Sequence, residues 1–256
     1  RDLRMSRGLG DVYKRQVTNG AQSGLASMAY AMSVLRSGQE NAMLATGSDE
    51  NSDIMTELFG KLGVTSEKVV APFAGNDGFV LSDGSASVLI EDEKAARERG
   101  ARIYCHVAGY GMAHSNVKFG TLTGSEAGLT NAVNNALADA GMTIDDIDAV
   151  FGFANGMKAV DDVEIKGLTA VFGDKLAEKP VVELKEVLGE SRAAAATTAA
   201  AHAALMFAGK IPSQEAYSIA ADGSVSKTNV EASKLNNVLV AAYGAGGSYT
   251  AIVLSK

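Results

Sequence analysis

A single cysteine, Cys105, in 256 residues excludes an internal disulfide and any metal site built from several thiolates. It makes a reducing compartment, the cytoplasm, the default expectation. Tryptophan is missing, prolines number three, and aromatic residues make up only 6% of the chain. Long apolar runs are missing too. The most apolar stretch, Ala193 to Ala208, carries His202 and falls short of the roughly 20 residues a membrane span needs, so it reads as a core helix and no membrane partner is expected. Positive charge is scarce: the formal net charge is −7, and a chain without a basic face is not a nucleic-acid binder. The histidines His106, His114 and His202 lie far apart without ligand spacing, so no metal site is expected. No Walker loop, dinucleotide-binding glycine motif, HExxH or CxxC occurs.

What is present is a chain 46% hydrophobic, long enough to bury about three quarters of the surface its unfolded form exposes. The first sixteen residues stand apart. Arg1, Arg4, Arg7, Lys14 and Arg15 outweigh Asp2 and Asp11, and no apolar core follows as a secretory signal would require. The string Leu9-Gly10-Asp11-Val12-Tyr13-Lys14-Arg15-Gln16 resembles translated sequencing adapter, with a natural basic arm as the alternative. On the adapter reading Val17 is a truncation point.

Periodicity predicts alternating helices and strands. Leu25, Met28, Ala29, Met32 and Leu35 fall at helical spacing between Ser23 and Ser37, with Gly38 as a stop. A strand is expected over Ala42 to Thr46. Phe79 to Leu81 and Ser85 to Ile90 read as a hairpin joined by Ser82-Asp83-Gly84. Helix Glu93 to Arg99, strand Arg102 to Val107, and helix Ser125 to Ala140 with a capping-type serine follow. Then come strand Ala149 to Phe153, helix Val160 to Phe172, strand Val181 to Leu184 and helix Ser191 to Phe207. Asn237 to Ala242 and Tyr249 to Leu254 close the chain as a hairpin around a glycine-rich turn. The pattern predicts an α/β fold with a mixed sheet.

The order of motifs resembles a known family. Asp77-Gly78-Phe79-Val80-Leu81-Ser82-Asp83-Gly84-Ser85-Ala86 is similar to the DGFVxGDGAG signature of β-ketoacyl-acyl-carrier-protein synthases. The acidic helix and the Arg99 to Tyr104 segment follow it as they do in that family. Leu44 to Asp49 stands where the family has AGGAE, and Val171-Phe172-Gly173, Lys185 and Gly244-Ala245-Gly246-Gly247 come in the expected order. The resemblance implies a thiolase-like fold, mixed sheets sandwiching helices, in which two related halves enclose the active site. Residues 17–101 would be the remainder of an incomplete N-terminal half and 102–256 the C-terminal half. No cofactor is implied.

The family's chemistry uses a cysteine at a helix N-terminus, where the dipole favours the thiolate, and two histidines that stabilise developing charge. Counting back from Gly38, which matches the glycine ending the nucleophile helix, puts Ala21 at the cysteine position. A slip of one residue puts Gln22 there, the residue many chain-length-factor subunits of type II polyketide systems carry. Ser23 matches the threonine of CATG and reads as a helix cap. Asn155, in Phe153-Ala154-Asn155-Gly156-Met157, takes the place of the first histidine, and Glu190, after Lys185, the place of the second. Glu164 and Lys185 match supporting residues, with a surface ion pair as their plain alternative. Ala245 occupies the position of the phenylalanine that gates the acyl pocket. Cys105 reads as a mid-strand structural thiol, and His106 points to the opposite face.

With all three catalytic positions changed, the resemblance implies a non-catalytic chain-length-factor or ketosynthase-β type subunit, paired as a heterodimer with an active ketosynthase and served by an acyl carrier protein. The alternatives are an active 3-oxoacyl synthase-like acyltransferase or malonyl-carrier-protein decarboxylase with an atypical site, and a purely structural remnant. In the family the half with the nucleophile helix forms the subunit interface.

Overall fold

The computed structural model describes residues 14–118 and 124–256, so residues 1–13 of the adapter-like segment lie outside the described residues. Helix α1 (Ser23–Arg36) leads into strand β1 (Ala42–Asp49), helix α2 (Asp53–Lys61), strand β2 (Gly84–Glu91) and helix α3 (Glu93–Glu98). Strand β3 (His106–His114), helix α4 (Glu126–Ala140), strand β4 (Ala149–Phe151), helix α5 (Lys158–Phe172), strand β5 (Val181–Val182) and helix α6 (Lys185–Leu188) come next. The chain ends with helix α7 (Ala193–Phe207), strands β6 (Ser213–Ile219) and β7 (Val225–Glu231), and strands β8 (Asn237–Gly244) and β9 (Ser248–Ser255).

The strands form two sheets. β1 and β2 make an antiparallel pair, while the other seven run in the order β3-β9-β8-β4-β5-β6-β7. β4 is parallel to both β5 and β8, and the remaining pairs are antiparallel, so the large sheet is mixed as expected. Helices α1 and α7 lie between the two sheets, and α4 and α5 cover the far face of the large one. Because both faces of the central strands are covered, their side chains are mostly apolar and alternate between two cores. Phe151, Val240 and Ile252 enter the core with Leu25 and Met28 of α1, while Val150, Leu239 and Val253 enter the core with Leu129 of α4 and Leu168 of α5.

Several expectations are corrected. Phe79 to Leu81 is not one arm of a hairpin: β2 pairs along its whole length with β1, from Ala42 opposite Glu91 to Asp49 opposite Gly84. Phe79 instead bridges Thr65 and Leu81 bridges Glu190. The turn-forming Ser82-Asp83-Gly84 only redirects the chain, its Asp83 Oδ1 accepting the Asn51 N–H at 2.5 Å. The strand expected over Arg102 to Val107 runs later, over β3, and Cys105 precedes it rather than sitting mid-strand. Gly109 and Gly111 made that stretch look unlike a strand, yet a Cβ on Gly111 would meet the Ala132 carbonyl oxygen at 2.1 Å. The glycines are what lets β3 lie against the backbone of α4.

Ser23 is the first residue of α1, not its cap; its hydroxyl donates to the Gly20 carbonyl at 2.6 Å, and Gln22 holds the cap position. Ser125 does cap α4 in position, but without a side-chain cap bond; its N–H donates to the Tyr249 hydroxyl at 2.6 Å. The hairpin β6–β7 was not expected, although Asp222-Gly223 between two alternating segments is a hairpin signal.

Candidate functional site

Four segments meet at the end of β4. The chain leaves that strand through Gly152 to Met157 before entering α5, and the loop from Ala71 to Ser82 wraps across it. The Lys158 N–H donates to the Asn76 carbonyl at 2.8 Å. The Phe73 N–H donates to Asp161 Oδ2 at 2.7 Å, with Phe73 at a φ of 63°. The third segment is α6 with the turn Gly189 to Arg192. Its Glu190 exchanges backbone hydrogen bonds with the loop, the Glu190 N–H donating to Val80 at 2.7 Å and the Ser82 N–H to Glu190 at 3.2 Å. The glycine-rich turn between β8 and β9 is the fourth. Gly246 and Gly247 adopt φ of 96° and 88°, conformations that favour glycine.

Asn155, Lys185 and Glu190 are brought into one hydrogen-bonded network. Asn155 Nδ2 donates to Glu190 Oε2 at 2.9 Å, and Lys185 Nζ donates to the same oxygen at 2.7 Å. Lys185 Nζ also donates to the Phe153 carbonyl at 3.0 Å. Glu190 Oε1 accepts the Arg192 N–H at 2.8 Å, and Asn155 Oδ1 accepts the Met157 N–H at 3.1 Å. Asn155 and Glu190 are 9% and 5% exposed, so these bonds stand in place of water. The Lys185–Glu190 pair is therefore buried, and the alternative of Glu164 and Lys185 as a surface ion pair is corrected: Lys185 pairs with Glu190, and Glu164 is fully buried.

Glu164 is fully buried on α5 and accepts the Phe153 N–H with both oxygens at 3.1 Å. Burial pushes its carboxyl up to about 7, further than the Phe153 bond draws it down. Asp161, one turn earlier, accepts the N–H groups of Asn155 at 3.0 Å and Gly156 at 3.2 Å besides that of Phe73. Burial nevertheless leaves its carboxyl above the ordinary range. Asp161 thus shapes the loop that presents Asn155.

Arg192 enters α7 with φ 47° and ψ −111°, a conformation rare for a residue with a Cβ. Its guanidinium donates to Asp49 Oδ1 at 2.5 Å and to the Glu50 carbonyl at 2.8 Å. Asp49 Oδ2 also accepts the Ala193 N–H at the start of α7, at 3.4 Å. Burial is the largest influence and would raise the Asp49 carboxyl, but the hydrogen bond and charge of Arg192, with the Ala193 and Glu50 N–H groups, together hold it below its usual range.

Ala21 and Gln22 stand just before α1, beside the glycine-rich turn: a Cβ on Gly244 would lie 3.1 Å from Gln22 Cγ. Gln22 is fully buried, its Oε1 accepting the Thr250 hydroxyl and its Nε2 lacking a partner. Ala21 is half-buried. Ala245 is exposed at the tip of the turn, and below it Phe153, Tyr243 and Tyr249 form an aromatic cluster with centroids 5.3 to 6.4 Å apart. Cys105 lies elsewhere, beside Tyr104 and His106 near the end of α7, and burial pushes its thiol up to about 11. Among the described residues no cluster of three or more His, Cys, Asp or Glu could hold a metal, and no helix is long and apolar enough to cross a membrane.

Asp161, Glu183 and Arg192 were missed from the sequence. Asp161 stands three residues before Glu164, on the same helical face. Glu183 ends the apolar run Val181-Val182, where a lone carboxylate is out of keeping with its neighbours. Arg192 carries no local signal, since its strain and its partner Asp49 are set by distant chain.

Residues 17–96 match the model of the β-ketoacyl synthase N-terminal domain, and residues 104–218 that of the C-terminal domain. A putative polyketide β-ketoacyl synthase 1 of Streptomyces cyaneus is 30% identical over 183 residues, 68% of this chain and 43% of the relative. One of the same name from Streptomyces halstedii is 28% identical over 251 residues, 93% of this chain and 60% of the relative. The chain spans about half the length of these curated relatives. The solved ishigamide ketosynthase/chain length factor superposes with a TM-score of 0.84 at 26% identity, covering 97% of this chain and 62% of that one. With a thiolase-like ketosynthase fold and both domain models matched in order along one polypeptide, the chain belongs to the β-ketoacyl synthase family.

Proposed function

We propose that this ketosynthase-like polyketide synthase subunit is of the non-catalytic, chain-length-factor type and pairs with an active β-ketoacyl synthase, sharing that enzyme's acyl carrier protein. The observation that carries the reading is the closed network of Asn155, Lys185 and Glu190. Every hydrogen bond these side chains make goes to one another or to the backbone. A carboxylate at position 190 would repel the enolate that condensation generates. Neither the methyl group of Ala21 nor the amide of Gln22 can attack a thioester. Ala245, exposed and small, leaves the acyl passage without a gate on this reading.

Intact-mass spectrometry after incubation with an acyl-carrier-protein thioester tests the proposal. No covalent adduct is expected. Stoichiometric acylation within the peptide Val17 to Arg36 would overturn it. The variant Ala21→Cys is expected to take up acyl groups without condensing them, because Asn155 and Glu190 are unchanged.

One observation favours a second reading, decarboxylation of malonyl carrier protein. Gln22 Nε2 is buried at the start of a 14-residue helix and has no partner, so it is a donor available to a carbonyl oxygen. Release of carbon dioxide from malonyl carrier protein that is lost in Gln22→Ala would support it, and the absence of any release leaves the non-catalytic reading.

A further inference from the structure

Behind the site, two buried carboxylates face each other. Glu183, between β5 and α6, is 4% exposed, and neither of its oxygens has a hydrogen-bond donor. Across from it stands Glu164 of α5. A Cβ on Gly152 would meet Glu164 Oε1 and Glu183 Oε1 at 2.0 Å each, so the two groups approach one another through space that only glycine leaves open.

The surroundings supply one cation, and it is engaged elsewhere. From α5, Asp161 adds a further negative group. From α6, Lys185 contributes attraction, but its hydrogen bonds go to Phe153 and Glu190. From β6, Tyr217 faces Glu183, with its hydroxyl donated to Glu186 at 2.7 Å. Two ionised carboxylates so placed would repel with no donor between them, and like-charged pairs of this kind resolve the conflict by keeping a proton.

We propose that Glu164 and Glu183 share a single proton across Gly152, the Glu183 hydroxyl donating to Glu164, and that this proton fastens the end of β4 that presents Asn155. Glu164 can then hold the Phe153 N–H, and the Phe153 carbonyl in turn receives Lys185. Burial and the neighbouring Glu164 charge push the Glu183 carboxyl well above its ordinary range, in keeping with the geometry. Glu183 is on this view a positioning residue, not a catalytic one, and the inference holds whichever reaction the site supports.

The sign of the pH dependence follows. In the unfolded chain both carboxyls ionise near 4.5, whereas the folded pair keeps its proton. The folded state binds more protons, so stability is greatest below that pH and is lost as pH rises. Glu183→Gln keeps a donor toward Glu164 without a titrating proton. Above the pH of about 7 at which Glu164 ionises, and while the pair keeps its shared proton, the unfolding equilibrium constant of the parent chain is expected to rise about tenfold per pH unit more steeply than that of Glu183→Gln. Identical slopes would overturn the proposal.

Infrared difference spectroscopy of the unsubstituted chain, with glutamate labelled at the side-chain carboxyl, decides independently of whether the variant folds. A protonated glutamic acid signal at neutral pH is expected. Its absence, or stabilisation by added sodium, potassium or calcium in its stead, would mean that a cation occupies the gap and would sink the shared proton.

Discussion

Glu190 shows how one residue can tie three segments together. It receives three donors, from Asn155, Lys185 and Arg192, and so fixes the loop after β4, helix α6 and the entry to α7. Removing the cation from a buried pair strands the carboxylate, which typically costs 3–5 kcal/mol. Lys185→Met is therefore expected to destabilise the chain by about 3 kcal/mol, measured by urea unfolding. Adding Glu190→Gln to that variant should recover part of the loss, since an amide is less costly to bury than an unpaired charge. If the double variant is less stable than the single one, the pair is not what holds these segments. The three members of this network were legible as positions in a motif, but that they would bond to one another was not.

At the scale of elements, the contact between α1, β1 and α7 depends on two glycines. A Cβ on Gly24 would meet the Ala193 carbonyl oxygen at 2.2 Å and Gly47 Cα at 3.1 Å, and one on Gly47 would meet the same carbonyl at 2.4 Å. The colliding atoms are backbone, so the elements must separate to admit a methyl group. Gly24→Ala is expected to cost about 2–3 kcal/mol. Gly38→Ala is the control: it has open space but a φ of 70°, and its expected cost is about 1 kcal/mol. Equal denaturation midpoints for the two variants would show that the helix contact is not tight in solution. Of the residues at helical spacing on α1, Leu25, Met28, Ala29 and Met32 are buried and Leu35 is half-buried.

At the scale of the molecule, the two-stranded sheet differs from the seven-stranded one in how it meets its surroundings. Leu44 and Leu89 are cross-strand partners, 65% and 54% exposed, and Tyr30 of α1 is 39% exposed. Such residues flank the half of the fold to which the family resemblance assigns the subunit interface. Under the proposed pairing, the full-length protein co-expressed with an active ketosynthase is expected to elute as a one-to-one complex, measured by size exclusion with light scattering. Separate elution of the two proteins would remove the support for a paired subunit. The link between the two matched regions is built into the chain itself, since Asp49 at the end of β1 holds both Arg192 and the first N–H of α7.

Element types and their order were determined by the sequence, because helical spacing, alternation, glycine stops and ordered family motifs are local properties. The proposed correspondence of Ala21 or Gln22, Asn155 and Glu190 to the family's catalytic positions likewise rests only on the motifs around them. Pairing was decided by tertiary structure. Ser82-Asp83-Gly84 carries the residues of a hairpin turn, but β2 found a longer partner in β1, and Gly109 and Gly111 became part of a strand because α4 packs on them. The approach of Glu183 to Glu164, the strained entry of Arg192 into α7 and the burial of the Lys185–Glu190 pair also arise between segments far apart in the chain. Burial and proximity set which groups are charged and which are bonded, and both are properties of packing that no single segment encodes.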